Sequence, residues 1–242
     1  PVSAANLPIA AGDAGRADAA RTEPIGTDAA GADMEWAAFA RASLADSDRA
    51  LAERFDNNDD IDRLLRARAQ SADALVREAW VRCIPDDAPL ALFAVGGYGR
   101  GELFPQSDID LLVLAGNIPS GPALSEMAAK TAHHDALARY FALLWDAGLP
   151  VGHAVRSIDE CTSAARDDIT VLTAQMEARP MAADAAMSRA LGEAIAPQRA
   201  WPPREYFLAK REEQRARHAR FGDTADNLEP NLKEGPGGLR DV

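Results

Sequence analysis

Gly96-Gly97 and Asp108-Ile109-Asp110 are the residues whose types and spacing point to chemistry. The glycines close an apolar run, residues 91–95. Eleven residues after Gly97, Asp108 leads into a second apolar run, residues 109–114. Alternation along a strand puts Asp108 and Asp110 on one face. Two like charges so placed repel unless a cation lies between them, and hard divalent ions such as Mg2+ favour carboxylate and phosphate oxygens. Gly96 and Gly97 have no Cβ, so the main chain there can turn sharply and aim N–H groups at a phosphate. Arg100 offers a planar fork of donors and Ser107 a hydroxyl, both in the same loop. A Gly-Gly pair by itself is a common turn, and an Asp-x-Asp pair by itself is commonly solvated. Joined at this spacing, each beside a buried run, they describe a nucleotide–metal site. Asp110 interrupts the otherwise apolar "DIDLLVL", where a residue kept only for packing would be Val or Ile, because a buried carboxylate is costly.

The elements that must position these groups follow from periodicity. Residues 91–95 and 109–114 read as short buried strands and "LPVGHAVRS" as a third. Trp36, Phe39, Leu44, Leu51 and Phe55 suggest a first helix, which "NNDD" at 57–60 breaks. Ile61, Leu64, Leu65, Ala69, Ala72, Leu75, Val76, Ala79, Trp80 and Cys83 recur at three- and four-residue spacing and predict an amphipathic helix capped by the preceding aspartates. Residues 124–145 read as helix, as do 167–178, 184–195 and 204–221. Residues 1–33 are rich in Ala, Gly, Asp, Thr and Pro, lack aromatics and are expected to be a disordered tail. The expected organisation is tail 1–33, helical segment 34–84, catalytic core 85–158 and helical domain 159–242. The fold class is α/β (α+β), a small mixed sheet carrying the site.

The bulk numbers limit the partners. The chain has 242 residues, 47 % apolar, with a net charge of −12 and a pI near 4.8. A field of that sign argues against nucleic acid as a partner, while a nucleotide escorted by a cation is tolerated. No run approaches the ~18 apolar residues of a membrane span, and no secretory signal is visible. Cys83 and Cys161 lack metal or redox spacing and read as buried reduced thiols. The expected location is cytoplasmic.

"GG" followed by "DID" resembles the motif of the polymerase-β-like nucleotidyltransferase superfamily. The longer string "VGGYGRGELFPQSDIDLLVL" resembles the nucleotidyltransferase region of the bifunctional PII uridylyltransferase/uridylyl-removing enzymes. "LLWDAGLPVGHAVRS", "DDITVLTAQMEAR", "YFLAKREEQRARH" and "NLEPNLKEGPGGLRD" extend the likeness from about residue 60 onward. The resemblance implies transfer of UMP from UTP to a tyrosine of the PII signalling protein, with release of pyrophosphate. It implies that Gly96 and Gly97 hold phosphates and that Asp108 and Asp110 bind Mg2+, which stabilises charge on the α-phosphate during in-line attack. Nothing in the motif reads the base, so adenylylation of a protein stays open, as does a non-catalytic PII-binding fragment.

The sequence departs from the superfamily pattern at the third carboxylate. The matching strand holds Gly152 and His153 but no acid; Asp146 precedes it and Asp159, Asp167 and Asp168 follow. His153 is a candidate base against the commoner structural role of a lone His. Arg240, in the closing "GPGGLRDV", could reach phosphate, whereas Lys210, Arg215 and Arg217 read as a solvated helix face. The histidines are His133, His134, His153 and His218, and His134-Asp135 falls inside a helix. Uridylyl-removing activity, which the resemblance ties to a downstream His-Asp domain, is therefore expected to be absent from this chain.

Overall fold

The computed structural model describes residues 27–116, 123–196, 201–221, 231–232 and 235–238. In chain order the elements are α1 (Thr27–Asp56), α2 (Ile61–Cys83), β1 (Leu90–Ala94), α3 (Gly96–Gly99), β2 (Ile109–Ala115), α4 (Ala123–Asp146), β3 (Val151–Arg156), α5 (Ile158–Asp167), α6 (Ile169–Met176), β4 (Arg179–Ala182), α7 (Ala185–Ala194) and α8 (Pro203–Phe221).

The four strands form one mixed sheet in the order β3-β2-β1-β4. β1 is antiparallel to both β2 and β4, and β2 is parallel to β3, with α4 as the crossover. Alternation divides the side chains between two cores. Leu92, Ala94, Ile109, Leu111 and Val113 face α1, α2 and α4. Ala91, Phe93, Val95, Leu112 and Leu114 face α5, α6 and α7. Asp110 lies on this second face, in step with Leu112 and Leu114.

Local chemistry explains the helices. Asp60 caps α2 by accepting from Arg63 N at 3.1 Å, and the preceding turn is closed by Asn58 at φ 60°. The α2 stripe is buried as its spacing predicts, apart from exposed Ile61. In α1, Trp36, Ala37 and Ala40 are buried, whereas Phe39 and Phe55 are exposed. Of the tail expected over residues 1–33, residues 1–26 lie outside the described residues, and 27–33 are the first turns of α1. Asp33 there pairs with Arg139 of α4 at 2.7 and 2.8 Å, so its carboxyl sits below the usual range.

β4 was not expected. Periodicity predicts a helix over 167–178 followed by another at 184–195; between them the structure turns residues 179–182 into an edge strand of the sheet. The single helix over 167–178 is also corrected. Asp168 ends α5 and caps α6, accepting from Thr170 N at 2.7 Å and Thr170 Oγ1 at 2.6 Å, which lowers its pKa. Cys83 and Cys161 are free and buried, one on each side of the sheet, and burial pushes both thiols up, Cys161 to about 11. Among the described residues no helix is long and apolar enough to cross a membrane.

Candidate active site

The antiparallel pairing of β1 and β2 brings the end of β1 beside the start of β2, and the parallel pairing of β2 and β3 adds the start of β3 to the same end of the sheet. Three hydrogen-bonded junctions hold this mouth: Val95 N to Asp110 O at 3.0 Å, Ile109 N to Pro150 O at 2.9 Å, and Gly99 N to Val95 O at 3.1 Å. Gly96, Asp110 and Gly152 therefore meet from three separate segments, with Gly97 and Asp108 next to them in the chain.

Two glycines frame the Asp110 carboxylate. A Cβ on Gly96 would stand 3.3 Å from Asp110 Oδ2, and a Cβ on Gly152 would stand 2.9 Å from Oδ1. Each oxygen thus faces a position that any other residue would crowd. Gly96 is also at φ +58°, a left-handed conformation that other residues reach only with strain. Its neighbour across the turn is Ala174 of α6. Asp108 is exposed just before β2, and Ser107 is half-buried, its N–H bonded to Phe104 O at 3.1 Å, after Gln106 at φ 65°.

Arg100 lies over the turn, its Nη2 3.6 Å from a Cβ position on Gly97. Its Nη1 donates to Glu177 Oε1 at 2.6 Å, a partner that spacing alone did not suggest. Glu177 also ties the turn through its main chain: a Cβ on Gly99 would come within 2.1 Å of Glu177 O.

Beneath the turn lies a buried charged network that sequence reasoning missed. Arg179 Nη1 donates to Asp73 Oδ2 at 2.7 Å and Nη2 to Oδ1 at 3.0 Å. The same guanidinium donates to the carbonyls of Tyr98 at 3.3 Å and Gly99 at 3.2 Å. Tyr98 O–H donates to Asp73 Oδ1 at 2.5 Å, and burial with that bond pushes the phenol far above its ordinary value. One signal was present: Asp73 is an acid next to Ala72 in the apolar stripe of α2, a position that demands a partner.

The third carboxylate has no counterpart on β3. Gly152 and Ala154 are the β3 residues that share Asp110's face, because Asp110 pairs with Gly152 and Leu112 with Ala154. His153 points the other way. Its ring stacks on Phe141 at 3.8 Å, and burial lowers its pKa. Of the other acids considered, Asp168 is committed to its helix cap, and Asp146, Asp159 and Asp167 are exposed at helix ends. Arg240 lies outside the described residues. Arg217 is buried rather than solvated, 3.6 Å from Glu213, while Lys210 and Arg215 pair with Glu213 and Glu212. His134 and Asp135 are exposed on α4, and among the described residues no group of three His, Cys, Asp or Glu side chains could hold a metal unaided. A divalent ion at Asp108 and Asp110 would draw its remaining ligands from phosphate and water, as Mg2+ commonly does. The two glycine positions, which set no Cβ against either Asp110 oxygen, fit such an ion.

Residues 77–167 match the family description "Nucleotidyltransferase domain", and residues 205–242 match "GlnD PII-uridylyltransferase". A bifunctional uridylyltransferase/uridylyl-removing enzyme of Xanthomonas campestris pv. campestris (strain B100) is 61 % identical over 208 residues, which is 86 % of this chain and 23 % of that protein. One of Xanthomonas axonopodis pv. citri (strain 306) is 58 % identical over the same share of each. One of Pseudomonas putida (strain F1) is 45 % identical over 85 % of this chain and 22 % of its own length. The chain spans under a quarter of the length of these curated relatives. In its sequence the chain is similar, over most of its length, to the nucleotidyltransferase regions of the bifunctional uridylyltransferase/uridylyl-removing enzymes.

Proposed function

We propose that this chain transfers UMP from UTP to a tyrosine hydroxyl of the PII signalling protein and releases pyrophosphate. The observation that carries the reading is the Asp110 carboxylate framed by Gly96 and Gly152 at the shared mouth of three strands. The Gly96-Gly97 turn receives the phosphates, with Arg100 and Ser107 beside them. Asp108 and Asp110 hold Mg2+, which when bound neutralises charge on the phosphates during displacement. The incoming tyrosine hydroxyl gives up its proton to solvent as its oxygen forms a bond to the α-phosphorus, and the bond to the bridging oxygen breaks with its electron pair leaving on pyrophosphate. The net charge of −12 disfavours a nucleic-acid acceptor and accommodates a cation-bound nucleotide. Two buried, reduced cysteines suit a cytoplasmic location.

The test is incubation of the full chain with PII, Mg2+ and labelled UTP, followed by intact-mass measurement of PII, with ATP offered in parallel. A mass gain of one UMP on a tyrosine, dependent on Mg2+, is expected. Label transfer from ATP in place of UTP would move the reading to adenylylation, and no transfer from either would reject it.

A further inference from the structure

Strand β3 is an edge of the sheet, and its two sides carry different consequences. The register Ile109↔Val151 to Leu114↔Arg156, with Ile109 N bonded to Pro150 O, directs the main-chain groups of residues 152, 154 and 156 toward β2. Those of Val151, His153 and Val155 point away from the sheet. Val151 is already served: its N–H bonds to Leu149 O at 2.9 Å and its carbonyl accepts from Trp145 Nε1 at 3.1 Å. Among the described residues nothing bonds to the main chain of His153 or Val155. Among the described residues two positions of this edge are therefore left open, right after a segment that is closed by a tryptophan.

An apolar pocket of about 500 Å3 adjoins this edge on the face turned to α4. Leu137, Phe141 and Trp145 of α4 line it, with His153 and Val155 of β3. The opposite face of the same strand is the Gly152 and Ala154 side, where Gly152 stands in register with Asp110.

We propose that an extended segment of the acceptor protein adds to β3 as a fifth strand, hydrogen-bonding to His153 and Val155 and delivering its hydroxyl-bearing residue to Asp110. The inference rests on the uridylyl-transfer reading given above. Alternation within the added strand does the sorting. Residues flanking the acceptor face α4 and place apolar side chains in the pocket. The acceptor residue between them faces the other way, alongside Gly152. Its main chain then lies about two strand spacings, ~10 Å, from that of Asp110. The Asp110 carboxylate leans toward β3, its Oδ1 2.9 Å from where a Cβ on Gly152 would stand, so the glycine keeps its own side chain out of the way. Affinity comes from main-chain pairing and selectivity from the pocket, so the preferred acceptor is an exposed, extended loop in which an apolar residue immediately flanks the hydroxyl-bearing one.

Val155→Pro tests this. Proline removes the outward N–H and sets a ring on the open side, yet breaks no bond to β2, and edge strands tolerate it. Val155→Asp is the second variant; the side chain is 43 % exposed, so a charge there spoils the pocket while leaving the fold in place. Transfer to PII is measured alongside calorimetric binding of Mg2+·UTP and thermal melting. The expected result is a rise of at least tenfold in the KM for PII, with UTP affinity and melting unchanged. Either variant, folded and with a KM for PII within twofold of the parent, overturns the strand-addition proposal alone. A parent chain that binds Mg2+·UTP but transfers nothing to PII overturns the transfer reading and this proposal together.

Discussion

Asp73 on α2 and Arg179 on β4, 106 positions apart, are joined by two charge-assisted hydrogen bonds of 2.7 and 3.0 Å directly beneath the glycine turn. The remaining reach of the guanidinium goes to the carbonyls of Tyr98 and Gly99. The glycine turn, proposed above to receive the phosphates, is therefore fastened from behind by Arg179. Arg179→Lys keeps the charge and loses the planar fork. We expect it to lower stability by about 2 kcal/mol in urea unfolding, because hydrogen bonds to charged groups contribute about 1.5–3 kcal/mol. Arg179→Met should be worse, since it leaves the buried Asp73 charge with only the Tyr98 hydroxyl and the more distant Arg77, 3.7 Å away. For Arg179→Lys, Mg2+·UTP affinity should also fall; unchanged affinity would show that the fork does not position the turn.

Asp110→Asn should remove transfer while leaving the fold intact, because the amide is nearly isosteric and only the charge is lost. Turnover should drop well beyond tenfold, a barrier increase of more than about 1.4 kcal/mol. Single-turnover rates with a circular-dichroism control measure it. Retention of more than about a tenth of the parent's rate would remove Asp110 from the metal.

Gly152→Ala and Gly192→Ala make a matched pair. The first sets a Cβ 2.9 Å from Asp110 Oδ1, so the carboxylate must turn. Weaker Mg2+·UTP binding is expected, with little change in melting temperature. The second meets nothing within 4 Å, in the last turn of α7. It should raise stability by about 0.5–1 kcal/mol and leave binding alone. Equal effects of the two on nucleotide affinity would contradict the geometry drawn around Asp110.

Gly99→Ala probes the seam between the turn and Glu177. A Cβ 2.1 Å from a main-chain oxygen cannot be relieved by a side-chain rotation. A loss of about 1–3 kcal/mol is expected in denaturant unfolding, as for overpacking elsewhere. A loss below ~0.5 kcal/mol would mean that α3 and the end of α6 separate easily.

Cys161 provides a pH test. Burial raises its pKa from 9.0 to about 11, so the unfolded chain releases this proton before the native one does. Its stabilising contribution is whole below pH 9 and is lost as pH rises through about 11. The parent should therefore lose stability above pH 9 more steeply than Cys161→Ala, measured by urea unfolding across that range. Parallel slopes would count against the burial account.

The glycine turn and the strands on either side of it were legible because their signals are local: the residue types, their spacing and the flanking apolar runs lie within some twenty positions. The sidedness of His153 was not, since it depends on the β2–β3 register, and a shift of one residue would have turned it toward Asp110. β4 escaped because "RPMA" is short, carries a proline and lies on an edge, where no alternation develops. Arg179 escaped with it, as its value comes only from meeting Asp73 across the fold. Arg100 was placed at the turn, but its bond to Glu177 belongs to the same non-local class.

The mouth of the sheet also says something about when the protein becomes competent during folding. Asp110 is flanked by glycines from positions 96 and 152, and the turn is fastened by residues 73 and 179. No local hairpin or helix contains this set, and closing such long loops is slow relative to forming local structure. A nascent chain that has emerged only through β3 already holds both aspartates and both glycines, yet its glycine turn still lacks the anchor from β4. Nucleotide binding should therefore arise late and cooperatively, which makes Mg2+·UTP a reporter of complete native topology rather than of the motif that first draws the eye.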